Sequence, residues 1–169
     1  GCDYGPVLYI EHERAPEGWR QYWNTISSGH YMMCHFGMTL EDYRFWATVD
    51  KSASTIVIPD TVTRIPNFFF EGCTDLTSVT IGRGVVEIGD NAFGECTGLS
   101  NLMIPDSITN IGEGAFAGCT GLTEMLIPNS VISIGGYAFS GCTGLTAVSI
   151  SSGVSTIGGC AFYGCTGLS

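Results

Sequence analysis

The chain has 169 residues, with six Lys and Arg against sixteen Asp and Glu and a formal charge of −10. Phosphate binding needs clustered cations, so this balance excludes nucleic acid and anionic lipid surfaces as partners. Hydrophobic residues make up 44% and charged residues 13%, yet no stretch reaches the roughly 20 continuous apolar residues of a membrane-spanning helix, so no transmembrane segment is expected.

Residues 1–49 hold all three tryptophans (Trp19, Trp23, Trp46) and all three histidines (His12, His30, His35) and show no internal period. They predict a separate N-terminal unit, an aromatic cap over one end of the larger remainder of the chain. Gly1-Cys2 matches the end of a lipoprotein cleavage motif, which would make Cys2 the lipid-bearing first residue of the native protein. Val7 to Glu11 and His30 to Phe36 read as strands. Thr39-x-x-Asp42 predicts a short helix through Ala47, opened in capping-box fashion. His30, Cys34 and His35 form the one cluster of metal-ligand types. Met32 and Met33 lie between them and there is no second ligand pair, so the segment reads as a packed strand and no metal or cofactor is expected. Adjacent residues on a strand point apart, which also argues against a Cys34–His35 nucleophile pair.

From residue 50 the rules change. Cys73, Cys96, Cys119, Cys142 and Cys165 recur every 23 residues, and columns of Ile58, Ile81, Ile104, Ile127, Ile150, of Ile65, Ile88, Ile111, Ile134, Ile157 and of Phe70, Phe93, Phe116, Phe139, Phe162 keep the same phase. Burying each large side chain yields roughly 1.5–3 kcal/mol, while ordering each residue's backbone costs roughly 1–2 kcal/mol. One unit of this length cannot fold alone, so neighbours must stack into a solenoid around a shared core. Residues 50–169 therefore read as five coils and the start of a sixth.

Within a coil, Leu76-x-x-Val79-x-Ile81 predicts a short strand with Val79 and Ile81 inward and Ser78 and Thr80 outward. The strands are expected to form one parallel sheet. Pro59, Pro105 and Pro128 lack an N–H and should end their strands. Ile88-Gly89-x-x-Ala92-Phe93-x-x-Cys96 has helix-like spacing over too short a span for more than a turn or two of α- or 3₁₀-helix.

In-register neighbours in a stack carry parallel side-chain vectors about 4.8 Å or more apart, too far and too parallel for a disulfide. The five column cysteines are therefore expected to be reduced and, Cys165 excepted, inaccessible. Cys160 lies off the column, at a position shared with Asn91, Gly114 and Tyr137, and reads as a partly exposed thiol.

Units such as Ile104-Pro-Asp-Ser-Ile-Thr-Asn-Ile-Gly-Glu-Gly-Ala-Phe-Ala-Gly-Cys-Thr-Gly-Leu resemble the BspA-type leucine-rich repeat, in phase five times over about Ala53 to Ser169. The resemblance implies an α/β repeat fold, a right-handed leucine-rich-repeat solenoid with one parallel sheet and short helical turns, on a secreted or surface-anchored bacterial protein, often adhesive. It carries over no functional residue by position.

Residues 50–169 contain no histidine and only scattered acids, so a catalytic cleft is not expected. Glu87, Asp90, Glu95 and Glu113 occupy variable turn positions and read as a solvated face. Two non-catalytic roles remain, a protein-binding scaffold and a passive spacer. Binding is favoured by the outward strand column of Val57, Thr80, Met103, Leu126 and Ser149, with Asn101 and Glu124 in the next column. Met103 and Leu126 fall side by side as an exposed apolar strip. The expected site is thus Val57, Thr80, Asn101, Met103, Glu124 and Leu126, and the expected ligand a protein such as a host extracellular-matrix protein. The chain stops as a sixth repeat opens, so weak self-association is expected through a last coil exposing Leu145, Val148, Ile150 and Phe162.

Overall fold

A computed structural model describes residues 39–168. The chain divides into two compact units, Gly1–Val49 and Asp50–Ser169. In the first, helix α1 (Leu40–Trp46) opens on the expected capping box. The Thr39 amide donates to Asp42 Oδ2 at 2.7 Å, and the Asp42 amide donates back to Thr39 Oγ1 at 3.1 Å. Two helix-terminal N–H groups are thereby satisfied, and both Asp42 and Trp46 are buried. The two expected N-terminal strands, the His30–Cys34–His35 cluster and Cys2 lie outside the described residues.

The second unit is a solenoid of parallel strands. The odd-numbered strands β1 (Thr55–Ile58), β3 (Ser78–Ile81), β5 (Asn101–Leu102), β7 (Glu124–Ile127) and β9 (Ala147–Ile150), four residues long except the two-residue β5, alternate with two-residue strands β2 (Arg64–Ile65), β4 (Glu87–Ile88), β6 (Asn110–Ile111), β8 (Ser133–Ile134) and β10 (Thr156–Ile157). Every pairing is parallel and joins residues 23 apart, as in Val79 with Leu102 and Ile111 with Ile134. The inward alternation is as expected, with Ile56 and Ile58, Val79 and Ile81, and Met125 and Ile127 buried and their neighbours turned outward.

Instead of one sheet there are two faces. The second isoleucine column builds its own continuous five-stranded sheet, β2-β4-β6-β8-β10, while the odd-numbered strands divide into β1-β3-β5 and β7-β9. The division has a reason in the sequence. Pro105 and Pro128 stand at the strand exits of adjacent coils and cannot donate the bond that Ser151, at the same position in the next coil, gives to Ile127 C=O at 3.1 Å. Met103 and Leu126 replace the β-branched Val57 and Thr80 of earlier coils, which weakens the pairing further.

The expected helical turn is also absent, and α1 is the only helix among the described residues. Two positions per coil adopt left-handed φ, at Phe68, Asn91, Gly114, Tyr137 and Cys160 and again at Gly72, Glu95, Gly118, Gly141 and Gly164. Two left-handed residues four positions apart in each turn interrupt any right-handed helix there. The backbone instead forms a third ladder in which alternate amides donate to the next coil: Phe68 to Asp90 C=O, Phe70 to Ala92 and Gly72 to Gly94, each at 2.8 Å, with the same pattern in the following coils. The glycine after the second-sheet isoleucine in the second and later coils, at Gly89, Gly112, Gly135 and Gly158, has a different reason. A Cβ on Gly112 would lie 2.6 Å from the Asp90 amide nitrogen, so the coils approach there as closely as the backbone allows.

The core is continuous. Phe70, Phe93, Phe116, Phe139 and Phe162 form one column of stacked rings with centroids 5.2–5.4 Å apart. Leu145, expected to be partly exposed, is fully buried, whereas Ile150 is exposed and Val148 and Phe162 are half-buried. The next turn closes over Leu145, so tightly that a Cβ on Gly167 would lie 2.6 Å from the Leu145 carbonyl oxygen.

Candidate functional site

The cysteine column has a structural role that spacing did not show. Each thiol from the second coil onward donates to the carbonyl of the phenylalanine 26 residues earlier: Cys96 to Phe70 and Cys119 to Phe93 at 3.0 Å, Cys142 to Phe116 at 3.1 Å, and Cys165 to Phe139 at 3.0 Å. The same carbonyls accept an amide of their own coil, as Phe93 does from Cys96 at 3.2 Å, so the thiol fills the second lone pair. Burial pushes the Cys96 and Cys142 thiols up to about 12 and raises Cys119 likewise. These are inert, protonated groups. The six described cysteines are all free.

Cys73 departs from expectation: it is half-buried. It lies in the first coil and lacks a preceding phenylalanine to bind, and burial raises its pKa while Lys51 opposes the rise. The Lys51 ammonium itself sits 4.3 Å from the centre of the Phe69 ring, a cation–π contact. Cys160 is exposed, as its off-column position suggested.

The carboxylates at the turn positions are partly structural. Glu87 pairs with Arg64. Asp90 accepts the Glu113 amide at 2.8 Å and the Asn67 side-chain amide at 3.3 Å, while its own amide donates to Asn67 Oδ1 at 3.0 Å. Glu95 and Glu113 are exposed. No group of three or more His, Cys, Asp or Glu side chains among the described residues could hold a metal ion.

The strand face carries the candidate site. Val57, Thr80, Asn101, Met103, Glu124 and Leu126 all point to solvent, with Met103 79%, Val57 64% and Leu126 63% exposed. Met103 and Leu126 stand on either side of the sheet division. There a groove of about 820 Å³ opens, bordered by Thr80, Asn101, Met103 and Leu126 and lined further by Arg83, Asp106, Pro105 and Pro128 among others. Four of the six expected residues thus border the groove, and Val57 and Glu124 flank it. Sequence reasoning missed Arg83, Asp106 and the prolines as part of this surface. The signal was present in the run of two consecutive coils carrying proline at one column position.

Residues 39–169 match the model of the BspA type leucine rich repeat region in six copies. The chain belongs to the BspA-type leucine-rich repeat family. No curated protein matches it, but solved structures do. A leucine-rich repeat protein from Bacteroides ovatus is 32% identical with TM-score 0.55, over 68% of this chain and 35% of that one. A leucine rich cell surface protein from Faecalibacterium prausnitzii is 32% identical with TM-score 0.51, over 68% and 37%. The T. pallidum leucine rich repeat protein is 26% identical with TM-score 0.56, over 69% and 65%. The chain therefore spans little more than a third of the first two relatives. No described helix is long and apolar enough to cross a membrane.

Proposed function

We propose that this BspA-type array is a non-catalytic binding module of a secreted or cell-surface protein, and that its strand face at Val57, Thr80, Asn101, Met103, Glu124 and Leu126 contacts a protein ligand. One observation carries the reading: on a strand face whose outward column also holds exposed Val57, the two large apolar side chains of Met103 and Leu126 stand exposed in adjacent coils where the sheet divides. Exposed apolar strips beside a groove mark interaction sites. The cell-surface description of the F. prausnitzii relative supports the location. In this reading the module is adhesin-like, its ligand is a host extracellular-matrix protein, its coils wind right-handed as parallel crossovers do, residues 1–49 cap the first coil, and Cys2 bears a lipid.

The test is retention of a panel of purified extracellular-matrix proteins on the immobilised chain, with the double variant Met103→Asp and Leu126→Asp as the comparison. Retention by the parent and loss in the variant, at unchanged melting temperature, is the expected result. Equal retention by both moves the site elsewhere, and retention of none by either leaves the array a passive spacer.

A further inference from the structure

The groove restricts what can occupy it. Pro105 and Pro128 have no amide hydrogen, so the carbonyls of Ile81 and Ile104, both at the groove, lack the bond that Ile127 receives from Ser151. Met103 and Ile104 belong to no strand, and β5 pairs with β3 alone. The backbone here offers acceptors whose partners must come from outside.

Charge points the same way. Arg83 and Asp106 line the groove, and Asp60, 23 residues before Arg83, accepts the Arg83 backbone amide at 2.7 Å, so one column of successive coils reads Asp60, Arg83, Asp106. Glu124 begins β7, two residues before Leu126 and on the same outward face. Together Asp60, Asp106 and Glu124 outnumber Arg83, and residues 50–169 as a whole carry three Lys and Arg against ten Asp and Glu. An acidic occupant would meet this field as repulsion. An occupant with N–H donors, cationic side chains and an apolar anchor would satisfy the carbonyls, the carboxylates and the Met103–Leu126 pair together.

We infer that the groove receives an extended, basic segment of another protein, anchored by apolar side chains between Met103 and Leu126. The inference deepens the strand-face reading and rests on it. An extended segment presents every second side chain to one face, so a fitting probe is a blocked, fluorescently labelled heptapeptide of sequence lysine–threonine–leucine–threonine–leucine–threonine–lysine. Its counterpart has glutamate in place of both lysines.

Fluorescence anisotropy against the full chain at about 0.15 M salt, where charges are screened beyond about 8 Å, is expected to show binding of the lysine peptide and about tenfold weaker binding of the glutamate peptide. Asp106→Lys with Glu124→Lys should weaken the lysine peptide about tenfold, equivalent to about 1.4 kcal/mol. The same charge change outside the groove, Glu71→Lys with Asp75→Lys, should alter it by less than about twofold. N-methylation of the leucine and central threonine amides should weaken it comparably to the groove substitutions. Equal binding of the two peptides, or equal weakening by both pairs of lysine substitutions, overturns the inference. If matrix-protein capture is lost in Met103→Asp/Leu126→Asp but is indifferent to Asp106→Lys/Glu124→Lys, the strand-face reading stands and the basic segment is refuted.

Discussion

Removing one thiol from the cysteine column tests whether that column holds the coils together. Cys119→Ala deletes a fully buried sulfur and its bond to Phe93 C=O. Losing a buried group about the size of a methylene costs about 0.8 kcal/mol. The residual cavity, if about 25 Å³, adds about 0.6 kcal/mol at ~24 cal/mol per Å³, and a weak neutral hydrogen bond adds about 0.5 kcal/mol. The Phe93 carbonyl keeps the Cys96 amide at 3.2 Å, so there is no orphaned-acceptor penalty. The total is about 2 kcal/mol, which for a urea slope of about 2 kcal/mol per M moves the unfolding midpoint down by about 1 M. Cys160→Ala removes an exposed thiol and should stay within about 0.5 kcal/mol of the parent. Urea unfolding followed by circular dichroism, with unchanged slopes, measures both. Equal midpoints for the two variants would refute a structural role for the buried thiols.

Thiol titration of the native protein should find Cys160 fast, Cys73 slower and Cys96, Cys119 and Cys142 silent until denaturant is added; mass mapping of the labelled sites checks the order. Because the folded thiol pKa is raised above the unfolded value near 9, to about 12 at Cys96 and Cys142, their contribution is complete below pH 9 and falls as pH rises toward 12. The slope is about 1.4 kcal/mol per pH unit for each thiol, and urea midpoints from pH 7 to 11 read it. Glu95 holds a left-handed φ of 58° where the same column elsewhere has glycine, so Glu95→Gly should stabilise by about 0.5–1 kcal/mol despite glycine's greater unfolded freedom, raising the melting temperature. Gly112→Ala should cost at least about 2 kcal/mol, since its methyl would meet the Asp90 backbone, and the same thermal scan measures it.

Much of the fold was legible in the columns. Isoleucine, phenylalanine and cysteine in fixed phase determined which side chains meet, and Thr39 with Asp42 determined how α1 begins. What escaped was backbone geometry. The Ile-Gly-x-x-Ala-Phe spacing matches a helix because both a helix and this turn bring residues four apart to one side. Only the left-handed φ at residues such as Asn91 and Tyr137, which no side-chain pattern announces, separates the two. The sheet division escaped for a related reason: Pro105 and Pro128, taken singly, are strand stops, whereas their effect comes from adjacency across coils. At the candidate site the outward strand column was legible from period-two alternation. The groove beside it, and Asp106 and Arg83 within it, depended on the division and so were not.

The third ladder has an electrical consequence. In a sheet, bond dipoles largely cancel, but on the turn face the amides of Phe68, Phe70 and Gly72, and their equivalents at Asn91, Phe93 and Glu95, all point toward the following coil. Their dipoles add along the axis and grow with each repeat, giving this face a positive head in the direction of the later coils and a negative tail in the other. A further coil can join it only in one sense, donors to acceptors. Two arrays meeting head to head would set N–H against N–H, so the solenoid is a one-way polymer in which orientation is fixed by the backbone before any side chain is chosen.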